Sequence, residues 1–309
     1  MTNKLHTTLA GFIIISFLSN TLAKQAPQTP EEPTKNDLEL ILNDKTVTLQ
    51  RYTGPGGDVV LPDQVQGKPI TEIAPWAFWN RSDITSIHLG SKVEKIGERA
   101  FWFCLNLAKI EIPANLQEIG IAAFDDCSHL KAFTLTGTSE KPAFTVTNGI
   151  LFTADGKKII RMPEGSTTTE YTIPDTVEQV GNGAFFGCHN LQNLTVGKNV
   201  HRLAPRAFMC CSSITNLTLP EGLEYIGANA FSDCSNVTEL IIPKTVRFMG
   251  DSSCSWINKM QKIRFEGEPP ETEGHLLGHF VPNYPPIYCP KDAQSWGTVS
   301  WQGMPIKRY

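Results

Sequence analysis

The amino-acid sequence predicts a repeat solenoid: a right-handed coil of about ten rungs with a short-stranded parallel β-sheet on its concave side and one inserted β-hairpin. Three regularities support this prediction. The dipeptide Ala-Phe recurs at a fixed spacing, an apolar hexapeptide follows it at a fixed distance, and a Gly-containing corner precedes it. One such unit cannot bury its apolar side alone, so the units are expected to stack on each other.

The Ala-Phe dipeptide sets the period of the repeat. It occurs at 77–78, 100–101, 123–124, 184–185, 207–208 and 230–231, so the steps are 23, 23, 61, 23 and 23 residues. The long step contains one ordinary unit and one unit with about 15 extra residues. Ala suits a place where backbones approach closely, and Phe is expected to fill the interior.

The apolar hexapeptides are predicted to be the strands. Each has apolar residues at positions 1, 4 and 6, and the last two flank one polar residue, as a half-buried strand requires. The copies begin at Ile84, Leu107, Leu130, Leu191, Ile214, Val237 and Met260, with a degenerate copy at Thr168. Residues 59–62 and the segment near Ile287 are predicted to be the first and last rungs.

Between strand and Ala-Phe, each unit has Ile-Gly or a near match, where Gly is expected to permit a tight corner. The long unit instead contains two apolar runs, "GILF" and "KKIIRM", on either side of Asp155-Gly156. Asp-Gly favours hairpin turns. We therefore predict an insertion at about residues 142–166 in which a β-hairpin projects from the stack, and a C-terminal cap at about residues 266–309.

The N-terminal segment is predicted to lie outside the folded domain. Residues 1–23 resemble a cleaved signal peptide, with a ten-residue apolar run and the small residues Thr21 and Ala23 at its end. Residues 24–37 contain three prolines and no bulky apolar residue, which indicates a disordered linker before a domain at 38–309. No later run has membrane length. We expect an exported chain, secreted or at the cell surface, with no membrane span after cleavage.

Charge disfavours one class of partner. The chain of 309 residues has 27 Lys and Arg against 31 Asp and Glu, a net charge of -4. Nucleic-acid-binding domains normally carry a basic patch. We therefore predict no nucleic-acid partner.

Five cysteines occupy one column of the repeat, at Cys104, Cys127, Cys188, Cys211 and Cys234. Arg81 holds this position in the first unit and Ile257 holds it in the last. Free cysteine is a small, readily buried hydrophobe, and metal sites need ligands at much closer spacing, so the column favours buried packing. Disulfides between rungs stay open, as does a Cys254–Cys289 bridge near the cap.

Two outward-facing columns of the predicted concave sheet are the first candidate binding surface. One column contains His88, Glu111, Thr134, Thr172, Thr195, Thr218, Ile241 and Arg264. The other contains Ser86, Lys109, Ala132, Glu170, Asn193, Asn216, Glu239 and Lys262. Thr is also a common strand residue on a solvated face, so the columns are either an ordinary wet sheet or a contact surface for a protein or glycan.

Aromatic residues near the N-terminal end are the second candidate surface. Trp79 and Trp102 follow successive Ala-Phe pairs, one rung apart, and are expected to stack; Trp76 and Phe103 are close by. Tryptophan is favoured at binding hot spots, and stacked aromatic rings suit sugars. Partial burial under neighbouring loops is the alternative. The hairpin at Asp155-Gly156 is a third candidate.

No catalytic motif is present in the sequence. His275 and His279 have the spacing of two ligands on one helix face, but Leu276 stands where a zincin has its general base. With Glu271 and Glu273 nearby, only adventitious metal binding is left open. We predict no catalytic residue, no metal site and no cofactor.

The unit at 104–126, "C-x2-L-x2-I-x-I-P-x3-L-x2-I-G-x2-A-F-x2", resembles the leucine-rich repeat of the BspA-like surface-protein family. The resemblance extends over residues 38–309. It implies a leucine-rich-repeat solenoid and an extracellular or cell-surface role in adhesion to host proteins, other cells or matrix. We expect a monomer that binds an extracellular protein or glycan. A carbohydrate-binding module is the alternative function, and an enzyme is a distant third.

Overall fold

The computed structural model describes residues 37–278, 285–297 and 299–309, and shows a solenoid of about 11 turns with parallel strands. The predicted solenoid fold is therefore confirmed. The signal-peptide prediction, the linker prediction as far as residue 36, and His279 lie outside the described residues. In the part of the chain that the structure describes, no helix is long and apolar enough to cross a membrane.

The described residues form 26 strands. In chain order these are β1 Leu38–Leu42, β2 Val47–Tyr52, β3 Gly57–Val60, β4 Gln64–Val65, β5 Lys68–Ile73, β6 Ile84–His88, β7 Lys95–Ile96, β8 Lys109–Pro113, β9 Glu118–Ile119, β10 Ala132–Thr136, β11 Phe144–Thr147, β12 Ile150–Thr153, β13 Lys158–Arg161, β14 Glu170–Thr172, β15 Gln179–Val180, β16 Asn193–Thr195, β17 Arg202–Leu203, β18 Asn216–Thr218, β19 Tyr225–Ile226, β20 Glu239–Ile242, β21 Phe248–Met249, β22 Lys262–Phe265, β23 Glu271–Thr272, β24 Ile287–Cys289, β25 Ser300–Trp301 and β26 Met304–Arg308.

The apolar hexapeptides form the longer strands on one side of the coil, which we call the long-strand face. The sequence predicts one continuous sheet here, but the structure has three. Their strand orders are β10-β8-β6-β3, β14-β16-β18 and β20-β22-β24-β26-β25. The first interruption, between β10 and β14, coincides with the insertion, because the hairpin strands of the long unit lie between these two rungs in the sequence.

The Ile-Gly corners form a second parallel array that the sequence analysis missed, which we call the short-strand face. Its strands, mostly two residues long, form the orders β1-β2-β5-β7-β9 and β11-β12-β13-β15-β17-β19-β21-β23. Gly is required at these corners, as predicted, but Gly120 and Gly250 do not have positive φ. A Cβ on Gly120 would lie 2.3 Å from the backbone N of Glu98, so the close approach of the preceding rung requires Gly.

The predicted hairpin is confirmed around Asp155-Gly156, where β12 and β13 pair antiparallel. It does not project from the stack as expected. Strand β13 pairs in parallel with β15 and is part of the short-strand face, while β11 adds a third strand to the insertion. The insertion also separates two apolar clusters: Leu151 packs with the N-terminal rungs, whereas Ile150 and Phe152 pack with the C-terminal rungs. We call this boundary the seam.

A column of large apolar side chains runs through the interior of each half. Rings stack from Tyr52 through Phe78, Phe101 and Phe124 at centroid separations of 5.2, 4.9 and 5.3 Å. In the second half, Phe208 lies 5.1 Å from Phe185 and 5.7 Å from Phe231. At the seam, the amide of Met162 donates to Ala184 just as Phe185 donates to Ala207, so Met162 takes the Phe position.

The cysteine column is buried, and all eight cysteines are free thiols. Buried packing is confirmed, and the Cys254–Cys289 bridge is not formed. The structure adds a reason for cysteine at this place: Cys104 and Cys127 donate weak hydrogen bonds to the carbonyls of Phe78 and Phe101 on the preceding rung. Arg81 does the same in the first unit, donating to the carbonyl of Tyr52.

Thiol reactivity is expected to separate Cys210 from the column. Cys210 is half-buried, and desolvation raises its pKa to about 11, while burial raises the pKa of Cys104 to about 12. In the folded protein at pH 8, we expect Cys210 to be the first cysteine to react with a thiol reagent, and to react slowly. After denaturation without reductant, we expect all eight thiols to react. Fewer than eight thiols in the denatured protein would contradict the free state.

Candidate binding surfaces

The predicted outward columns of the long-strand face are in register within each sheet. His88 lies beside Glu111, and Glu111 lies beside Thr134. Thr172, Thr195 and Thr218 pair in the second sheet, as do Glu170, Asn193 and Asn216. Arg264 pairs with Ile241 in the third sheet. The columns therefore form three short patches and no continuous ribbon.

The polar side chains of these patches bind mainly to each other. Glu111 contacts both His88 and Lys109 at 2.5 Å, and hydrogen bonds from Lys109 and then His88 hold the pKa of Glu111 below its usual range. The Asn193 amide donates to Glu170 at 2.9 Å. Such ladders satisfy the polar groups within the sheet, as an ordinary solvated face does.

Trp76 is the centre of the predicted aromatic cluster. Instead of stacking on one another as expected, Trp79 and Trp102 each meet Trp76 edge-to-face, with centroid separations of 6.2 and 5.3 Å. Trp102 also meets Phe103 edge-to-face. Trp76 and Trp79 are 40% and 44% exposed, so burial under neighbouring loops is not what holds them.

Arg99 completes the cluster and was not predicted. Its guanidinium lies over the ring of Trp76 at 5.1 Å and over the ring of Trp102 at 5.9 Å, both within cation–π range. The indole nitrogen of Trp102 donates to the Asp126 carboxylate at 2.7 Å. We call Trp76, Trp79, Arg99, Trp102 and Phe103 the aromatic edge.

Three residues of the aromatic edge have left-handed backbone conformations. Trp76, Arg99 and Phe103 have φ of 65°, 53° and 62°. Bulky residues rarely adopt this region, which costs on the order of 1–2 kcal/mol per residue, and Gly or Asn would fit it better. The same position before Ala-Phe is left-handed in other rungs, at Arg206 and Asn229 for example, so this conformation belongs to the turn of the repeat and does not distinguish the aromatic edge.

A further patch lies on the short-strand face and was missed because that face was not predicted. The Arg202 guanidinium is 3.6 Å from the Tyr225 ring centroid, and Tyr225 stacks on Phe248 at 4.9 Å. The 23-residue spacing of Arg202, Tyr225 and Phe248 was the sequence signal that could have predicted this patch.

Ionic groups are buried at the seam, where no site was predicted. Arg161 of the insertion donates to the Asp125 carboxylate at 2.7 Å, and Arg206 binds the other oxygen of Asp125 at 2.7 Å. Arg161 also donates to the carbonyls of Phe124 and Gly183. The side chains of Arg161 and Asp125 are only 6% and 2% exposed. This network joins the two halves, because Asp125 belongs to the first half and both arginines to the second.

Glu164 lies next to this network. One of its oxygens is 3.7 Å from the Arg161 guanidinium, and burial raises the pKa of Glu164 to about 8. A cleft of about 180 Å³ opens beside the network, between β9 and β13.

The His275 and Glu271/Glu273 segment does not form a metal site within the described ranges, where no group of three or more His, Cys, Asp or Glu is arranged to hold an ion.

Comparison with known proteins identifies the family. The family model "BspA type Leucine rich repeat region" matches in six copies over residues 59–150 and 164–271, about two thirds of the chain. The chain belongs to this family. The resemblance recognised in the unit at 104–126 is thus confirmed.

The BspA-type match also delimits the insertion, since it leaves out residues 151–163, where the β12–β13 hairpin turns. Two solved structures are similar. A leucine-rich-repeat protein from Eubacterium ventriosum has 15% identity and a TM-score of 0.56, covering 88% of this chain and 91% of its own. A leucine-rich cell surface protein from Faecalibacterium prausnitzii has 18% identity and a TM-score of 0.47, covering 80% and 95%. A search of curated proteins gives no match.

Proposed function

We propose that this BspA-type protein is an exported, non-enzymatic scaffold that binds an extracellular protein and mediates adhesion, with its contact centred on the aromatic edge. The single observation that carries the proposal is the cluster of Trp76, Trp79 and Trp102 around Arg99, in which Trp76 and Trp79 are exposed. Family membership and the signal-like residues 1–23 support export and a surface location.

The composition of the aromatic edge favours a protein partner. Trp and Arg are the residues most enriched at hot spots, and a rigid turn that already holds them costs little ordering on binding. The long-strand face is the weaker candidate, because Glu111, Asn193 and Glu170 already have partners within it. We therefore assign that face a flanking role.

A carbohydrate partner is the second candidate, favoured by the exposure of Trp79. Edge-to-face rings do not present the flat platform that sugar stacking uses, and Arg99 lies over the faces of Trp76 and Trp102. A sugar would then stack on Trp79 alone, with low affinity.

The proposal is tested with immobilised collagen, fibronectin and laminin, and in parallel with a glycan array. We expect at least one matrix protein to bind, and the Trp76→Ala/Trp79→Ala double variant to lose about 30-fold or more in affinity, equivalent to about 2 kcal/mol at a hot spot. Trp256→Ala is the matched control, since Trp256 is 60% exposed but distant in sequence from the edge.

A third variant separates the two surfaces. Thr195→Lys/Thr218→Lys alters exposed side chains in the middle of the long-strand face and should leave affinity within about twofold. If this variant abolishes binding while the tryptophan variant binds normally, the contact lies on the long-strand face. If the unaltered protein binds no matrix protein, adhesion to matrix is refuted. If the unaltered protein binds a glycan and the tryptophan variant loses only that binding, the carbohydrate function is favoured.

A further inference from the structure

The segment that precedes β1 has a proline at every third residue: Pro27, Pro30 and Pro33. These residues lie outside the described ones, so only their sequence is used here. Proline-rich chains favour the polyproline II helix, which has three residues per turn. The spacing therefore predicts a helix with all three pyrrolidine rings on one edge. Its backbone carbonyls make no hydrogen bond within the helix, so they can accept from another surface.

The chain enters the solenoid at the end of the coil where the aromatic edge lies. Strand β1 pairs antiparallel with β2, so β1 begins where β2 ends. At that end, the amide of Tyr52 donates to the carbonyl of Ala77 and the amide of Thr53 donates to the carbonyl of Asp37. Ala77 directly follows Trp76. Asp37 is therefore about two strand spacings, roughly 10 Å, from the backbone of the aromatic edge.

The proline segment is long enough to reach the aromatic edge. A polyproline II helix rises about 3.1 Å per residue, so Pro33 and Pro27 lie about 12 and 31 Å from Asp37 along it. The nearest proline thus covers the distance to the turn at Trp76, and the others extend beyond it. A tether this short gives an effective concentration in the millimolar range, at which even a weak contact is populated.

The first rung leaves room beside the exposed tryptophans. Between the bond from Tyr52 to Ala77 and the bond from Gly57 to Asp83, its turn consists of residues 53–56, with the sequence Thr-Gly-Pro-Gly. This turn has no aromatic or long aliphatic side chain to cover the next rung. The exposure of Trp76 and Trp79, 40% and 44%, agrees with this.

The aromatic edge offers hydrogen-bond donors together with the notches between its rings. Trp102 donates its indole N–H to Asp126, whereas the indole N–H groups of Trp76 and Trp79 have no hydrogen-bond partner within the described residues. The ring of Trp76 meets those of Trp79 and Trp102 at 86° and 75°, so neighbouring rings enclose notches. Aromatic-lined grooves are the surfaces on which proline-rich segments dock.

We propose that residues 27–33 bind the aromatic edge of their own chain as a polyproline II helix. The pyrrolidine rings lie between the indoles, and carbonyls of the segment accept from Trp76 and Trp79. This inference rests on the proposed function, because it concerns the same surface, and it adds a form of regulation. An extracellular partner has to displace the segment, so its apparent affinity is lowered in proportion to the fraction of molecules with an open edge.

Hydroxyl-radical footprinting of the full chain, read by mass spectrometry, tests the contact. In the Pro27→Ala/Pro30→Ala/Pro33→Ala variant, we expect the oxidation rate of Trp79 to rise about threefold, as for an edge that is mostly occupied in the unaltered chain. Trp256 is 60% exposed and is expected to keep its rate, so it serves as a reference within the same molecule.

A second triple variant controls for the substitutions themselves. Gln25→Ala/Gln28→Ala/Thr34→Ala changes the same number of residues, keeps every proline, and alters a different edge of a helix with three residues per turn. We expect this variant to protect Trp79 as the unaltered chain does. The proposal is overturned if the proline variant leaves the Trp79 rate unchanged, or if both variants raise it equally.

A peptide with the sequence of residues 25–35, blocked at both ends, tests recognition in trans. Added to the proline variant, it is expected to restore the protection of Trp79 with a half-maximal effect below about 1 mM. A peptide of the same composition without the three-residue spacing of prolines is expected to have no effect. Equal protection by the two peptides would contradict recognition of a polyproline II edge.

Concentration and partner binding separate the remaining outcomes. Protection of Trp79 in the unaltered chain should persist on about hundredfold dilution, since the contact is intramolecular. Protection that disappears on dilution would place the segment on a second copy and overturn the proposal. Footprinting needs no external partner, so protection without any matrix binding refutes adhesion alone. Matrix binding without protection refutes only the contact of residues 27–33.

Discussion

Asp125→Ala is expected to lower the free energy of unfolding by about 3–5 kcal/mol, the cost of removing one partner from a buried ionic network. The carboxylate binds Arg161 and Arg206 at 2.7 Å each, and it is 2% exposed. Its removal leaves the Arg161 guanidinium buried without a full counter-charge. Arg161 keeps its bonds to the carbonyls of Phe124 and Gly183, which do not neutralise it.

Urea unfolding measures the change, with Asp175→Ala as the control. Asp175 pairs with Lys198 at 2.9 Å, but the two side chains are 56% and 73% exposed. An exposed pair of this kind contributes about 0–1 kcal/mol. If the two alanine variants lose the same stability, the seam network does not stabilise the fold.

Asp125→Ala is also expected to uncouple the two halves of the solenoid. Their apolar clusters are separate, and the network crosses the boundary between them. Hydrogen exchange should then show that amides of residues 84–136 lose protection before those of residues 193–265, whereas the unaltered protein opens as one unit. Simultaneous loss of protection in Asp125→Ala would show that apolar contacts across the seam suffice for coupling.

The stack was predictable because its signals are local and repeated. The Ala-Phe period fixes which residues meet across rungs, so the burial of Phe101, Phe124 and Phe208 and the register of Thr195 with Thr218 follow from spacing alone. The hairpin turn was predictable from Asp155-Gly156 for the same reason: a dipeptide with a strong local preference.

The features that were missed depend on contacts distant in sequence. Asp125 and Arg206 are 81 residues apart, and nothing in the local pattern of either predicts their ion pair. The short-strand face was missed because a two-residue strand has no readable alternation of polar and apolar residues. The aromatic edge was found from composition, but spacing along the sequence does not show that its rings meet edge-to-face around Trp76.

Phe208→Ala is expected to destabilise the protein by about 3–5 kcal/mol, the usual cost of truncating a fully buried Phe. Phe208 is 0% exposed and packs between the rings of Phe185 and Phe231. Each rung contacts only its neighbours in a solenoid, so the cavity weakens two interfaces at once. Phe208→Leu keeps most of the volume and should cost less than about 1.5 kcal/mol.

Phe248→Ala is the control that separates burial from ring stacking. Phe248 stacks on Tyr225 at 4.9 Å with an angle of 7° between the rings, but it is only half-buried on the short-strand face. Loss of an aromatic pair of this kind is expected to cost about 1 kcal/mol. Urea denaturation of the three variants gives the comparison. A loss in Phe248→Ala as large as that in Phe208→Ala would mean that ring stacking, and not burial between rungs, stabilises the coil.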